Sequence, residues 1–360
     1  MYAKNIKIDN NNEFLYNISK PILHNVSKLK FMDFCSGIGG GRLGLIKSGF
    51  ESVGFVEIDN IVVKSYELMY DTKNEQKYCD LTKIDIQMLP YFDCLIAGFP
   101  CQTFSIIGQR QGMNDCRGLI INSLVKILKE KSIKYFILEN VKGLINHNNG
   151  HTLITILELL SMAGYKVEYK VLNSINYGVP QMRERIYFVG IRKDLCRQGK
   201  IFDWEHKQNS ASLSKFLIDT ENEITDLQVC TLKKYLQNKY NNGKFELSNL
   251  TKQEYTVIDT RQSDLRIYKD KVPTIRKGRQ GILYVRDGKL RNLTGLEGLL
   301  LQGFGMEYAF KLKGKVPNSV LLGQVGNAMT VPVIQSIANS LLEYIGDVNE
   351  NTCRNDKFGF

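Results

Sequence analysis

No two of the eight cysteines stand in C-x-x-C spacing, so a zinc ribbon is not expected. No run reaches the ~18 apolar residues that a membrane span needs. The opening stretch, MYAKNIKIDNNNEF, carries no apolar signal core. These absences lead to the expectation of a reduced, cytoplasmic, membrane-free protein whose cysteines are mostly buried thiols. Histidine is scarce, at four residues. His147 and His151 lie in Asn-Gly sequence with no third ligand nearby, so they read as loop polar groups and no metal is expected. The single tryptophan is Trp204.

Apolar residues make up 43% of the 360 positions, enough for one large domain with a sizeable core plus a smaller one. The formal charge is +11, from 48 Lys and Arg against 37 Asp and Glu. Such a surplus suits a nucleic acid or another anionic partner, although solvated basic faces alone would also produce it.

Residues 29–34 read as a strand running into Asp33-Phe34-Cys35-Ser36-Gly37-Ile38-Gly39-Gly40-Gly41, with a helix after it over 42–48. Strand, glycine turn and helix form a cofactor-binding unit in which the backbone can approach a ligand closely. The next strand, 52–56, ends in Glu57, placed to accept two ribose hydroxyls. The glycines run G-x-G-G-G, which disfavours the G-x-G-x-x-G of a dehydrogenase. A helix over 60–70 follows, then Cys79-Asp80-Leu81, where Asp80 reads equally as a helix cap or a ligand contact.

A short apolar strand, 94–97, leads into Gly98-Phe99-Pro100-Cys101 and a polar, glycine-punctuated segment to Gly118. A thiol just past a parallel strand sits at the carboxyl edge of the sheet, where open α/β sheets do their chemistry. Ile121, Leu124, Val125 and Leu128 fall at helical spacing, and Leu153, Ile156, Leu157 and Leu160 do so in a helix over 151–162. The strand 134–138 ends in Glu139-Asn140-Val141. A carboxylate there is costly unless paired or used. Strands at 165–172 and 185–191 flank Gln181-Met182-Arg183-Glu184-Arg185, which alone would read as a surface ion-pair strip. From 194 to 269 the pattern turns polar and irregular. Within it, Arg261, Gln262 and Arg266 are side chains of the kind that contact base edges. Pro273-Thr274-Ile275 and the basic run Arg276-Lys277-Gly278-Arg279 follow. Gln324-Val325-Gly326-Asn327-Ala328-Met329 then opens a helix with Ile334, Ile337, Ala338, Leu341, Leu342 and Ile345 inward.

Taken together, the Pro100-Cys101-Gln102 loop, the Glu139-Asn140-Val141 strand end, the Gln-x-Arg-x-Arg run and the Gly326-Asn327 turn resemble the cytosine-C5 DNA methyltransferases of bacterial restriction-modification systems. The likeness covers about 31–192 and 271–345. It implies an α/β fold: a Rossmann-like S-adenosylmethionine-dependent methyltransferase domain with a smaller irregular target-recognition domain. The implied layout is an extension at 1–28, a cofactor-binding and catalytic domain at 29–212 and 320–347, a target-recognition domain and hinge at 213–319, and a tail at 348–360.

The resemblance implies Cys101, Glu139, Arg183 and Arg185 as catalytic residues, with Arg183 at the flipped nucleotide or its phosphate. S-adenosylmethionine would be held by Cys35, Gly37, Ile38, Gly40, Glu57, Ile58, Asp80, Leu81, Pro100, Ile120, Asn327 and Ala328. Duplex DNA would be contacted by Gln102, Ser105, Arg117, Arg261, Gln262, Arg266, Thr274 and Arg276. Two positions depart from the pattern: Cys35 stands where an aromatic is usual, and Ile58 where a Trp is frequent. The implied activity is methyl transfer to C5 of a flipped-out cytosine through a Cys101 adduct, by a monomer with a cognate restriction endonuclease as partner. The competing readings are a tRNA-methylating enzyme of the same family and a catalytically silent DNA-binding relative. An amino-nitrogen methyltransferase is disfavoured, because no D/N/S-P-P-aromatic motif is present.

Overall fold

The computed structural model describes residues 28–100, 119–204 and 207–355. Strands β1 (Lys30–Phe34), β2 (Glu51–Val56), β3 (Gln76–Tyr78), β4 (Cys94–Gly98), β5 (Tyr135–Val141), β6 (Tyr165–Asn173), β7 (Gln181–Met182) and β8 (Glu184–Arg192) form the first part. Helices α1 (Gly40–Lys47), α2 (Asn60–Met69), α3 (Leu119–Glu130) and α4 (His151–Met162) connect them. All but β7 join one seven-stranded sheet in the order β3-β2-β1-β4-β5-β8-β6. β8 runs antiparallel to both β5 and β6, and the other pairings are parallel.

β1, β4 and β5 are mostly apolar, and over Phe31–Phe34, Cys94–Ala97 and Tyr135–Asn140 their residues are buried, as expected of strands covered on both faces. The chain goes to one side of β1 to make β2 and to the other side to make β4. This reversal puts the turn after β1 beside the end of β4, at the crevice where such sheets bind ligands. β5 continues two residues past Glu139, which therefore lies within the strand, opposite Gly98 on β4 and Tyr187 on β8.

The stretch expected to be irregular holds more order than its composition suggests. It contains α5 (Asp226–Leu236), α6 (Leu247–Leu250), β9 (Thr256–Asp259) and β10 (Arg266–Lys269). A capping box between Thr225 and Gln228 starts α5. β9 and β10 join β12 (Ile282–Arg286) and β13 (Lys289–Asn292) in an antiparallel sheet ordered β10-β9-β12-β13. β11 (Val272–Pro273) instead pairs in parallel with β7.

Helices α7 (Gly295–Leu301), α8 (Met306–Leu312), α9 (Asn318–Asn327) and α10 (Val331–Asn355) complete the described chain. One apolar cluster mixes Leu43, Tyr66 and Met69 of α1 and α2 with Val257, Tyr284 and Leu321, so the two sheets share a core. α10 packs on α1, where Ile334 fills the space beside Gly44. Asn318–Gly346 is long and apolar enough to cross a membrane, but 78% of its apolar window is buried inside the protein, as in a core helix. The thiols do not follow expectation: of the five whose side chains are described, only Cys94 is buried, and Cys79 and Cys230 are exposed.

Candidate active site

The glycine turn is held from three sides. Ser36 N–H donates to the Val56 carbonyl (3.0 Å) and Gly39 N–H to the Ser36 carbonyl (2.9 Å). The Glu57 carboxylate accepts from Gly37 N–H and from Asp59 N–H, both at 2.9 Å. Beneath the turn, the Tyr70 hydroxyl donates to the Gly39 carbonyl (3.0 Å). Arg42, at the start of α1, is buried between Tyr66 and Tyr70 and pairs with Glu75 through two contacts of 2.5 and 2.6 Å. Gly40 is required by close approach: a Cβ there would stand 2.2 Å from the Met329 carbonyl oxygen. By contrast, nothing lies within 4 Å of the Cβ position of Gly37, so the space beside the turn is open.

Two buried polar atoms at this turn, Asp33 Oδ1 and Ser36 Oγ, have no partner among the described residues. The open space beside Gly37, with the Glu57 carboxylate hydrogen-bonded to that residue's N–H, fits a ligand carrying hydroxyls. Burial raises the Asp33 carboxyl well above its ordinary range against the opposing pull of Arg42. Cys35, in a left-handed conformation with φ 50°, has its thiol pushed up to about 12, by burial first and then by Glu57 and Asp33.

The other expected cofactor residues are placed unevenly. Ile58 is exposed; Ile38, Leu81 and Ala328 are buried; Ile120 is half-buried; Asn327 and Pro100 are exposed. Asp80 caps the turn at Leu81–Lys83, accepting from Thr82 N–H (3.0 Å) and Thr82 Oγ1 (2.7 Å), and that hydroxyl is the main cause of its lowered pKa. His147 Nδ1 meets Thr152 Oγ1 at 2.7 Å, the loop role expected of it. Among the described residues, no group of His, Cys, Asp and Glu could hold a metal ion.

At the neighbouring sheet edge, Arg185 Nε lies 3.1 Å from Glu139 Oε1, and both side chains are nearly buried. Burial raises the Glu139 carboxyl above its ordinary range, while Arg185 and then Arg183 pull it down. Asn140, read from the sequence only as part of a strand end, has a role of its own. Its Nδ2 donates to the Phe99 carbonyl at 2.9 Å and its Oδ1 accepts from Val141 N–H at 2.8 Å. It therefore ties β5 to the segment that leads through Pro100 to Cys101. Only its position after an acid at a strand end could have signalled this. Cys101, Gln102, Ser105 and Arg117 lie outside the described residues.

Arg183 departs from its expected place at a nucleotide or phosphate. Its guanidinium is buried and donates to the carbonyls of Ile275 (3.1 Å), Gly326 (3.2 Å) and Ala328 (2.9 Å). Burial, then repulsion from Arg185, lowers it to about 9. Arg261, expected at base edges, is also engaged internally. It grips both oxygens of Asp259 (2.7 and 2.8 Å) and donates to the Thr274 carbonyl (2.7 Å), leaving its side chain 7% exposed. Thr274 Oγ1 donates to the Met182 carbonyl at 2.7 Å. Arg266 donates to Gln262 Oε1 at 2.8 Å, and Arg266 and Arg276 are exposed. A cleft of about 160 Å³ brings Arg261, Gln262, Arg266, Thr274 and Arg276 together, with Arg279 beside them.

A family model described as C-5 cytosine-specific DNA methylase matches residues 29–343. The orphan methyltransferase M.SPRI of Bacillus phage SPR is 45% identical over 174 residues, covering 48% of this chain and 40% of the phage protein. The chain thus matches less than half the length of that relative. The type II methyltransferase M.BsuFI of Bacillus subtilis is 34% identical over 324 residues, covering 88% of this chain and 73% of that protein. Among solved structures, the DNMT2 protein of Spodoptera frugiperda superposes with a TM-score of 0.62 at 18% identity, covering 88% of this chain and 100% of that one, a likeness of fold.

Proposed function

The chain belongs to the C-5 cytosine-specific DNA methylase family, and from that premise we propose that it transfers a methyl group from S-adenosylmethionine to C5 of a cytosine in a specific duplex DNA sequence. The observation that carries this reading is the Glu139–Arg185 pair, with Arg185 on β8 and Glu139 on β5 opposite Gly98 of the strand that leads to Cys101. Residues 29–212 and 320–347 would form the catalytic part, and 213–319 the part that reads the target.

Cytosine C5 is a poor nucleophile, and the base must leave the duplex to be reached. Cys101 attacks C6 as a thiolate, which places electron density on C5. Glu139, whose hold on a proton is strengthened by burial, protonates N3 as that density builds, so the ring does not carry a full negative charge. Arg185 fixes the Glu139 carboxyl and offers its remaining donors to the base carbonyl. The chemistry supplied by bound S-adenosylmethionine is one electrophilic methyl group. Glu57 would accept its hydroxyls, and Gly37 leaves room for it. After transfer, a base removes the C5 proton and Cys101 leaves C6, restoring the aromatic ring.

The test is incubation with labelled S-adenosylmethionine and, separately, unmethylated duplex DNA and tRNA, followed by identification of the labelled nucleoside. The expected result is label in 5-methylcytosine from DNA, lost in Cys101→Ala, which still binds DNA. Label in tRNA alone would overturn the DNA assignment. Absence of label from both, with DNA still bound, would make the chain a silent relative.

A further inference from the structure

Residues 181–183 lie where distant parts of the chain meet. Gln181 Nε2 donates to the Leu301 carbonyl (2.9 Å), and its Oε1 accepts from Ile275 N–H (3.2 Å). Thr330 Oγ1 donates to Gln302 Oε1 at 2.7 Å, and Gln302 Nε2 donates to the Val325 carbonyl at 2.9 Å. Arg183 occupies the middle of this knot. It is a fully buried cation whose side-chain hydrogen bonds all go to backbone carbonyls. Its Nε has no partner among the described residues. Glu139 attracts this charge from a distance, but none of the guanidinium's hydrogen bonds reaches a carboxylate; burying such a charge is costly, and an apolar side chain of similar volume is often as stable. Stability alone does not account for an arginine here.

The carbonyls it gathers belong to segments with different tasks in the reading above. Ile275 lies between Thr274 and Arg276, on the nucleic-acid side. Gly326 and Ala328 flank Asn327 just before Met329, whose carbonyl packs against Gly40 of the glycine turn proposed for the cofactor. The two segments also touch directly: a Cβ on Gly326 would stand 2.3 Å from the Lys277 backbone nitrogen. We infer that Arg183 is a positioning residue that couples the two ligands. Its guanidinium holds the 275–277 backbone and the 326–328 turn in one mutual geometry, so whichever ligand binds first orders the contact the second needs. This rests on the proposed function, because it takes the ligands to be S-adenosylmethionine and DNA.

The experiment measures the dissociation constant of S-adenosylhomocysteine with and without a duplex carrying the mapped target site, and the reciprocal constant for that duplex. The wild-type ratio is expected to fall within the ordinary coupling range, about 5- to 150-fold, and to be the same in both directions. In Arg183→Met the ratio falls to about one, while the salt dependence of DNA binding is unchanged. Arg183→Lys, which keeps the charge but not the three-way fork, loses most of the ratio. Gly326→Ala, which pries the two backbones apart and so displaces one of the carbonyls the guanidinium holds while keeping the arginine side chain, gives the same loss and carries the test if Arg183→Met does not fold.

Full wild-type coupling in Arg183→Met or Gly326→Ala overturns the inference. So does a drop of about 0.9 in the slope of log K against log salt in Arg183→Met, the mark of a lost phosphate contact. If both ligands bind the wild type without coupling, this inference alone falls. If neither binds, it falls together with the proposed function.

Discussion

Arg185→Met should destabilise the protein in a way that depends on pH, and the sign of the dependence follows from Glu139. In the folded protein burial raises the Glu139 carboxyl, and the Arg185 guanidinium 3.1 Å away is the main opposing influence. Removing that guanidinium takes away the opposition, so the carboxyl rises further. A carboxyl whose pKa is higher folded than unfolded contributes stability below its unfolded value and loses it as pH climbs through the folded value. Between the folded pKa of the wild type and that of the variant, only the variant carries an extra proton. Across that window its deficit should widen with rising pH by about 1.4 kcal/mol per unit. The ceiling is the cost of leaving one partner of a buried pair alone, about 3–5 kcal/mol. Below the wild-type value both proteins are protonated, and only the lost packing of the arginine stem remains.

The assay is urea unfolding of wild type, Arg185→Met, Glu139→Gln and the double variant across a pH series. In the Glu139→Gln background, Arg185→Met should lose its pH dependence, and the double variant should be more stable than the two single losses predict. A deficit that is flat with pH, or a strictly additive double variant, would show that Arg185 does not govern Glu139.

Asn140→Ala removes the 2.9 Å bond to the Phe99 carbonyl. It should lower kcat by up to about 100-fold, because a shift of about 1 Å at a reacting group can cost that much. An unchanged kcat would remove Asn140 from orienting the segment before Cys101. Gly40→Ala must move α1 away from the Met329 carbonyl, 2.2 Å from the new methyl position. It should cost about 1–3 kcal/mol in denaturant unfolding and weaken cofactor binding; wild-type values for both would mean the contact relaxes freely. Arg276→Met should reduce the salt slope of DNA binding by about 0.9 without loss of stability. Arg261→Met should leave that slope intact and cost about 3–5 kcal/mol, because Asp259 is then buried alone; the opposite pattern would reverse their roles.

The first sheet was legible because its signals are local. β4 and β5 are short apolar runs closed by glycine and proline or by a carboxylate, and β1 with its glycine turn is read within a few consecutive positions. The same local reading ended β5 too soon, since Glu139 looks like a terminus while its backbone still pairs with Tyr187. β9 and β10 were missed for the opposite reason. They are four residues each, and in Arg266–Lys269 the apolar positions are two adjacent residues, which carries no alternation. Their strand character comes from cross-sheet partners, Ile258 against Leu283 for example, and not from their own sequence.

The arginines show where this limit lies. Along the chain, Arg183, Arg185, Arg261, Arg266 and Arg276 are alike: each sits in a polar run near a residue that could touch DNA. What divides them is the supply of acceptors from elsewhere. Arg183 is consumed by carbonyls 92, 143 and 145 positions away, and Arg261 by an acid two residues back together with a carbonyl thirteen ahead. Arg185 is claimed by Glu139 across the sheet. Arg266 and Arg276 remain exposed, at one cleft. A guanidinium has five donors in a fixed fork, so it braces backbone segments as readily as it grips a phosphate. Its role is therefore set by which acceptors reach it first, and for a buried fork those acceptors are brought by the fold.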